Sequence, residues 1–242
     1  MGKISAGNYD LNVWLKGGYD SGIVTTLYGG PGSGKTNLCM IMAVSQAKKG
    51  NKVIFIDTEG GFSTERAKQL FSSKSTNGTK ESLTLDQVLE NILVLKPTNF
   101  KEQKQTFDQL LKYLKEQVSL IIVDGMTMLY RLDFADARDL KNENNILDMQ
   151  SVNAELTKQM RLLVEIARKQ DIAVIATNQT YMWKDEMRMV AGDIVKYWSK
   201  CLIELTNDDG KRTANLIKHR SLPEKTLAFQ IYDGGVRKRG WL

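Results

Sequence analysis

The chain has 242 residues, of which 42% are hydrophobic and 26% charged, a composition that suits a folded α/β core and excludes a disordered tail or a fibre. Two cysteines, Cys39 and Cys201, with no CxxC pair, suggest neither a zinc centre nor a dithiol redox site, and the single histidine excludes any site that needs two imidazoles. The net charge of +6 suits an anionic partner such as nucleic acid, but only where the cations cluster.

In chain order, Ile23–Tyr28 reads as a strand and Asn37–Lys49 as a buried helix. Val53–Asp57 is a second strand, Ser63–Leu70 a short helix and Ser72–Thr84 a polar loop. Leu85–Glu90 reads as helical and Ile92–Leu95 as a strand, followed by a helix over Lys101–Gln117. Leu120–Asp124 is a strand with almost no polar face, Ser151–Lys169 is helical, and Ile172–Thr177 is the next strand. Strands apolar on both faces and separated by helices predict a mostly parallel sheet covered on both sides. Cys201–Thr206 and Thr213–Lys218 flank NDDGKR, a hairpin turn signal, and Leu227–Tyr232 is a further strand. The expected fold is therefore α/β with antiparallel strands at the C-terminal end, in one domain over residues 1–242. No leader, lipidation motif or membrane-length apolar run is visible, so a cytoplasmic, membrane-free protein is expected.

Gly29-Gly30-Pro31-Gly32-Ser33-Gly34-Lys35-Thr36 matches GxxxxGK[ST] and lies between a predicted strand and a predicted helix, the context a phosphate loop requires. The glycines let backbone N–H groups wrap phosphates. Lys35 brings positive charge to them, and Thr36 offers a hydroxyl to Mg²⁺ at a helix N-terminus that favours anions. Asp124 closes an apolar strand and is a second candidate for Mg²⁺; Asp57 competes for that role or serves as a hydrogen-bonded strand end. Glu59, just past Asp57, is either a base for water attacking the γ-phosphate or a surface carboxylate. Asn178 and Gln179 follow the strand Ile172–Thr177 as a phosphate sensor or as an ordinary polar turn.

These segments in this order, GGPGSGKTN, IDTEGGFSTER, LIIVDG, ATNQ and RSLPEKTLAFQI, resemble the RecA/RadA recombinase superfamily from about Ile4 to Val236. The nearest likeness is to RadB, a short archaeal paralogue family consisting of a RecA-like ATPase core. The resemblance implies ATP and Mg²⁺ as ligands. It implies Glu59 as catalytic, with Lys35 and Gln179 assisting, Asp124 and Thr36 on the metal, and Asn37 and Arg66 beside the nucleotide, Arg66 on the adenine. It also implies DNA-binding loops at roughly Arg131–Asn145 and Thr180–Gly192.

Two departures stand out. No Phe-x-x-Ala polymerisation motif is found, and Lys218-His219-Arg220 stands where recombinases carry an acidic residue that caps a neighbour's ATP. Both argue against an autonomous strand-exchange filament and for weak ATP turnover. The expected role is DNA repair and recombination, assisting a RadA-type recombinase, with homo-oligomers left open. Lys218, His219, Arg220, Lys211, Arg212, Arg237 and Lys238 are the candidate DNA phosphate contacts, and Tyr181 and Trp183 the candidate base-stacking groups, with single-stranded DNA favoured. The alternatives are a KaiC-like ATPase or signalling module acting on protein, and an ATP-dependent interaction module in which Glu59 is idle.

Overall fold

The computed structural model describes residues 2–72, 83–114, 118–139 and 145–240. In chain order the elements are β1 (Lys3–Ile4), α1 (Tyr9–Trp14), β2 (Tyr19–Asp20), β3 (Val24–Gly29), α2 (Lys35–Ala47), β4 (Lys52–Asp57), α3 (Thr64–Ser72), α4 (Leu85–Glu90), β5 (Ile92–Leu95) and α5 (Phe100–Tyr113). Then follow β6 (Val118–Asp124), α6 (Met128–Asp139), α7 (Asn145–Gln170), β7 (Ala173–Trp183), β8 (Glu186–Met189), α8 (Gly192–Trp198), β9 (Cys201–Asp208), β10 (Lys211–Lys218), β11 (Lys225–Tyr232) and β12 (Gly235–Lys238).

The main sheet runs β12-β11-β10-β9-β3-β7-β6-β4-β5. From β9 to β5 the neighbours are parallel, and β9 through β12 are antiparallel. The cause is visible in the strand sequences. Along β4, Val53 and Phe55 enter one buried cluster while Ile54 and Ile56 enter another. β6 divides Leu120 and Ile122 from Ile121 and Val123 in the same way. Each strand thus buries both faces, one under α2 and the other under α7, as a parallel sheet requires. The α/β expectation and the antiparallel end agree with this architecture.

Helix starts follow their capping residues. Asn99 accepts from Glu102 N at 2.9 Å to open α5, and Thr84 forms a reciprocal capping box with Gln87 to open α4. α2 differs: its N-cap is Gly34 at φ 107, with no side-chain cap, so its first N–H groups stay available to a ligand. At the edge strand β12, α1 covers the open backbone: Asn8 Nδ2 donates to Val236 O at 2.5 Å and Lys238 N donates to Asp10 Oδ2 at 2.7 Å.

Two expectations change, and a third falls mostly outside the described residues. The stretch expected as a first DNA-binding loop, Arg131–Asn145, is helix α6 to Asp139; residues 140–144 lie outside the described residues. Tyr130 and Ala137 on α6 are buried, and Phe134 packs against the cluster that holds Tyr130, which is helical spacing. The second stretch is a hairpin, since β7 continues to Trp183 and pairs antiparallel with β8. The polar loop expected over Ser72–Thr84 lies mostly outside the described residues, which resume at Leu83. Among the described residues no helix is long and apolar enough to cross a membrane.

Candidate nucleotide site

The site forms where β3, β4, β6 and β7 end together, the edge at which open α/β sheets place their ligands. The phosphate loop leaves β3 at Gly29 and enters α2 at Lys35. Gly32 and Gly34 take left-handed φ of 70 and 107, conformations costly to a side chain. Lys35 is buried, and its ammonium donates to Gly29 O and Gly30 O, each at 2.9 Å. Burial holds it below its ordinary value, opposed by the charges of Glu59 and Asp124.

Asp124 sits at the end of β6, 1% exposed. Thr177 Oγ1 donates to Oδ1 at 2.8 Å, and the Thr36 hydroxyl stands near enough to the carboxylate to lower its pKa. Burial pushes Asp124 up from 3.8 to about 6; the two hydroxyls lower it, and the charges of Glu59 and Asp57 raise it further. Oδ2 is buried without a partner among the described residues. A buried carboxylate oxygen left open beside a threonine hydroxyl is the donor set of a hydrated divalent cation. Gly61 makes room there: a Cβ on it would stand 2.9 Å from Thr36 Cγ2 and 3.5 Å from Asp124 Oδ2. These residues fit Mg²⁺.

Asp57 has the structural role. Its oxygens accept from Gly61 N and Phe62 N, each at 3.0 Å, fixing the turn that carries Glu59. Glu59 is exposed, and both its oxygens accept from Gln179 Nε2, at 3.1 and 3.0 Å. Gly125 holds this geometry open, because a Cβ on it would lie 2.8 Å from Glu59 Oε1 and 2.4 Å from Thr58 Oγ1. Asn178 is buried instead: it accepts from the Thr127 hydroxyl and donates to Val190 O at 2.8 Å. Arg66 bridges three segments, donating to Asn37 Oδ1 at 3.0 Å and to Tyr232 O and Asp233 O at 2.9 Å.

The basic candidates do not meet in one place. Lys211 and Lys218 stand at opposite ends of β10, about 23 Å apart at strand rise. Lys218 Nζ donates to Lys196 O at 3.0 Å and Ser199 O at 2.8 Å, capping the C-terminal end of α8. His219 and Arg220 turn onto Asp20, at 3.3 and 2.9 Å, where Lys3 joins at 2.8 Å. Burial alone would raise Asp20, but the Lys3 hydrogen bond and the Lys3 and Arg220 charges hold it below the ordinary carboxylate value. The His219 ring is enclosed and burial keeps it below its ordinary value; Nδ1 accepts from Ser221 N and Leu222 N, each at 3.1 Å. Lys218 and Arg220 stay exposed while holding these protein acceptors, and the His219 ring is enclosed. Arg212 reaches the phosphate loop, with Nε donating to Gly32 O at 3.2 Å. Lys211, Arg237 and Lys238 remain exposed.

On the β7–β8 hairpin, Tyr181 pairs with Arg188 and Trp183 with Glu186. Cross-strand partners share a face, so two aromatics lie beside the Arg188–Glu186 ion pair, closed at 3.0 Å, Tyr181 and Trp183 being 36% and 49% exposed. Arg188, Thr177, Gly61 and Gly125 escape sequence reasoning. Only Thr177, a hydroxyl at a strand tip beside Asn178, carries a signal that could have flagged it.

The chain is similar to known proteins over nearly its whole length. The family model described as Rad51 matches residues 1–239. A DNA repair and recombination protein RadB from Methanobrevibacter smithii is 37% identical over 240 residues, 95% of this chain and 93% of that protein. A protein of the same description from Methanocaldococcus jannaschii is 36% identical over 222 residues, 92% of this chain and 96% of its own. A crystal structure of the RadB recombinase superposes with a TM-score of 0.75 at 33% identity, covering 96% of this chain and 98% of that one. The chain belongs to the Rad51 family of RecA-like proteins, among its RadB members.

Proposed function

We propose that this chain is an ATP-dependent DNA repair and recombination protein: it binds Mg²⁺·ATP, hydrolyses it slowly, and binds single-stranded DNA to assist a RadA-type recombinase. Nucleotide and Mg²⁺ use is general in the family, and the relatives named above are described as DNA repair and recombination proteins. The matches give a KaiC-like role no support.

The observation that carries the proposal is the contact between Glu59 and Gln179. Glu59 stands beside the phosphate loop and Gln179 at the root of the β7–β8 hairpin. A group near the γ-phosphate is thereby joined to the element that offers Tyr181, Trp183 and Arg188. The loop N–H groups and Lys35 hold the phosphates; Lys35 must exchange the Gly29 and Gly30 carbonyls for phosphate oxygens. Thr36 and Asp124 would hold Mg²⁺, which supplies charge neutralisation of the phosphates when bound. Glu59 accepts a proton from the attacking water, and Gln179 fixes the orientation of its carboxylate. A ligand that alters the Glu59–Gln179 contact biases the hairpin only through its differential affinity for the two arrangements.

The test is fluorescence anisotropy of a labelled single-stranded oligonucleotide across salt concentrations, with and without Mg²⁺·ATP. Salt-sensitive binding that shifts with nucleotide is expected. No binding at low salt in either state would overturn the DNA assignment while leaving the nucleotide site.

A further inference from the structure

The β9–β10 hairpin grips the phosphate loop from outside. Asn207 Nδ2 and Arg212 Nε both donate to Gly32 O, each at 3.2 Å. The hairpin is itself firm: Asn207 Oδ1 accepts from Gly210 N at 3.0 Å across the turn, and the hydroxyls of Thr206 and Thr213 meet at 2.7 Å between the strands. Its base is fixed to the strand that feeds the loop, since β9 pairs parallel with β3 as far as Gly29 and Leu205. The approach is so close that a Cβ on Gly29 would stand 2.0 Å from Leu205 O.

A trans peptide is planar, with its C=O and N–H pointing opposite ways. Drawing Gly32 O outward to the hairpin therefore turns Ser33 N–H toward the concave side of the loop. There it makes a long contact, 3.4 Å to Gly30 O, which leaves it ready for an anion. Lys35 holds the Gly29 and Gly30 carbonyls, but Lys35 is also the group that must turn to the phosphates. The hairpin bond to Gly32 involves no group that must move.

We propose that Arg212, with Asn207, is a positioning residue for nucleotide binding: their shared bond to Gly32 O pre-orients the phosphate loop so that its N–H groups face the phosphates before and after Lys35 moves. This rests on the reading that the loop binds Mg²⁺·ATP. It assigns Arg212 to the nucleotide rather than to DNA. The bond is charge-assisted, so Arg212 carries the larger share of the effect and Asn207 the smaller.

The experiment is calorimetric titration of Mg²⁺·ATP and Mg²⁺·ADP into the wild-type chain and into Arg212→Ala, Asn207→Ala, the double variant and Arg212→Gln. Arg212→Ala is expected to weaken both nucleotides about tenfold and Asn207→Ala about threefold. The double variant should lose less than the product, because both donors act on one carbonyl. Arg212→Gln, which keeps an amide donor, should recover part of the loss. Hydrogen exchange at the Ser33 amide should speed up in Arg212→Ala, with an unchanged unfolding midpoint in the absence of nucleotide. Affinity for both nucleotides within twofold of wild type in Arg212→Ala would overturn the proposal, as would a loss matched by a fall in the unfolding midpoint with no change at Ser33. A wild-type chain that does not bind Mg²⁺·ATP would instead sink the site reading beneath it.

Discussion

Replacing Asp124 with asparagine separates the cost of the metal site from its use. Burial raises the carboxyl from 3.8 to about 6, with help from Glu59 and Asp57. At about 1.4 kcal/mol per pH unit, holding it ionised costs the free protein about 3 kcal/mol. Because the folded value is raised, its stabilising contribution is complete below the unfolded value near 4, falls as pH rises through about 6 and is absent above. Asparagine keeps an oxygen for the Thr177 hydroxyl and carries no charge. At pH 7.5, in chelator and without nucleotide, Asp124→Asn should therefore be more stable than wild type by about 1–3 kcal/mol, which in a chain of this size raises the unfolding midpoint by roughly 2–4 °C per kcal/mol. The gain should shrink by about half at pH 5. Mg²⁺-dependent ATP affinity should fall in the same variant. Thermal and urea unfolding at the two pH values reads the first effect and calorimetry the second. A variant less stable than wild type at pH 7.5, or a gain that does not shrink at pH 5, would refute the reasoning.

Lys35→Ala removes the ammonium bonded to the Gly29 and Gly30 carbonyls and is expected to abolish nucleotide binding by calorimetry, while leaving the far-ultraviolet spectrum unchanged. Trp183→Ala should weaken single-stranded DNA binding by about 1–3 kcal/mol, the range of one base–aromatic stack, with no change in ATP affinity. Asp20→Ala leaves His219, Arg220 and Lys3 facing one another without their carboxylate. It should cost about 3 kcal/mol in urea unfolding, the low end for breaking a buried pair, because Lys3 and Arg220 are about a third exposed. The DNA anisotropy of Asp20→Ala should be unaffected under conditions where it remains folded.

Much of the molecule can be read from the sequence, for physical reasons that differ by region. The apolar runs at β4, β6 and the start of β7 are doubly buried, so nothing but a parallel strand suits them. The phosphate loop follows from backbone needs that only glycine meets. The Asp-Gly turn between β9 and β10 follows from local conformation alone. Other features depend on long-range partners. Lys218-His219-Arg220 reads as a solvated cationic run because Asp20, about 200 positions away, is invisible to local inspection. Gly125 reads as an ordinary turn until Glu59 is seen against it. In α6 the resemblance implies a loop, yet the spacing of Tyr130, Phe134 and Ala137 is helical; there the residues are the better guide. The extension of β7 to Trp183 is hidden because its last residues, Tyr181 to Trp183, are exposed and have no core face to mark them.

The contacts of Asn8 and Asp10 with β12 reach beyond local capping. An unpaired strand edge is a template on which another chain can grow, and cells meet such edges as sources of aggregation. Here two short polar side chains occupy the backbone sites that an incoming strand needs, at Val236 O and Lys238 N. The N-terminal segment is thus a gatekeeper: it terminates the sheet on that side and denies it to intruding chains. A chain shortened past Asp10 would keep every residue of the nucleotide site and still become sticky, associating through β12 as its concentration rises.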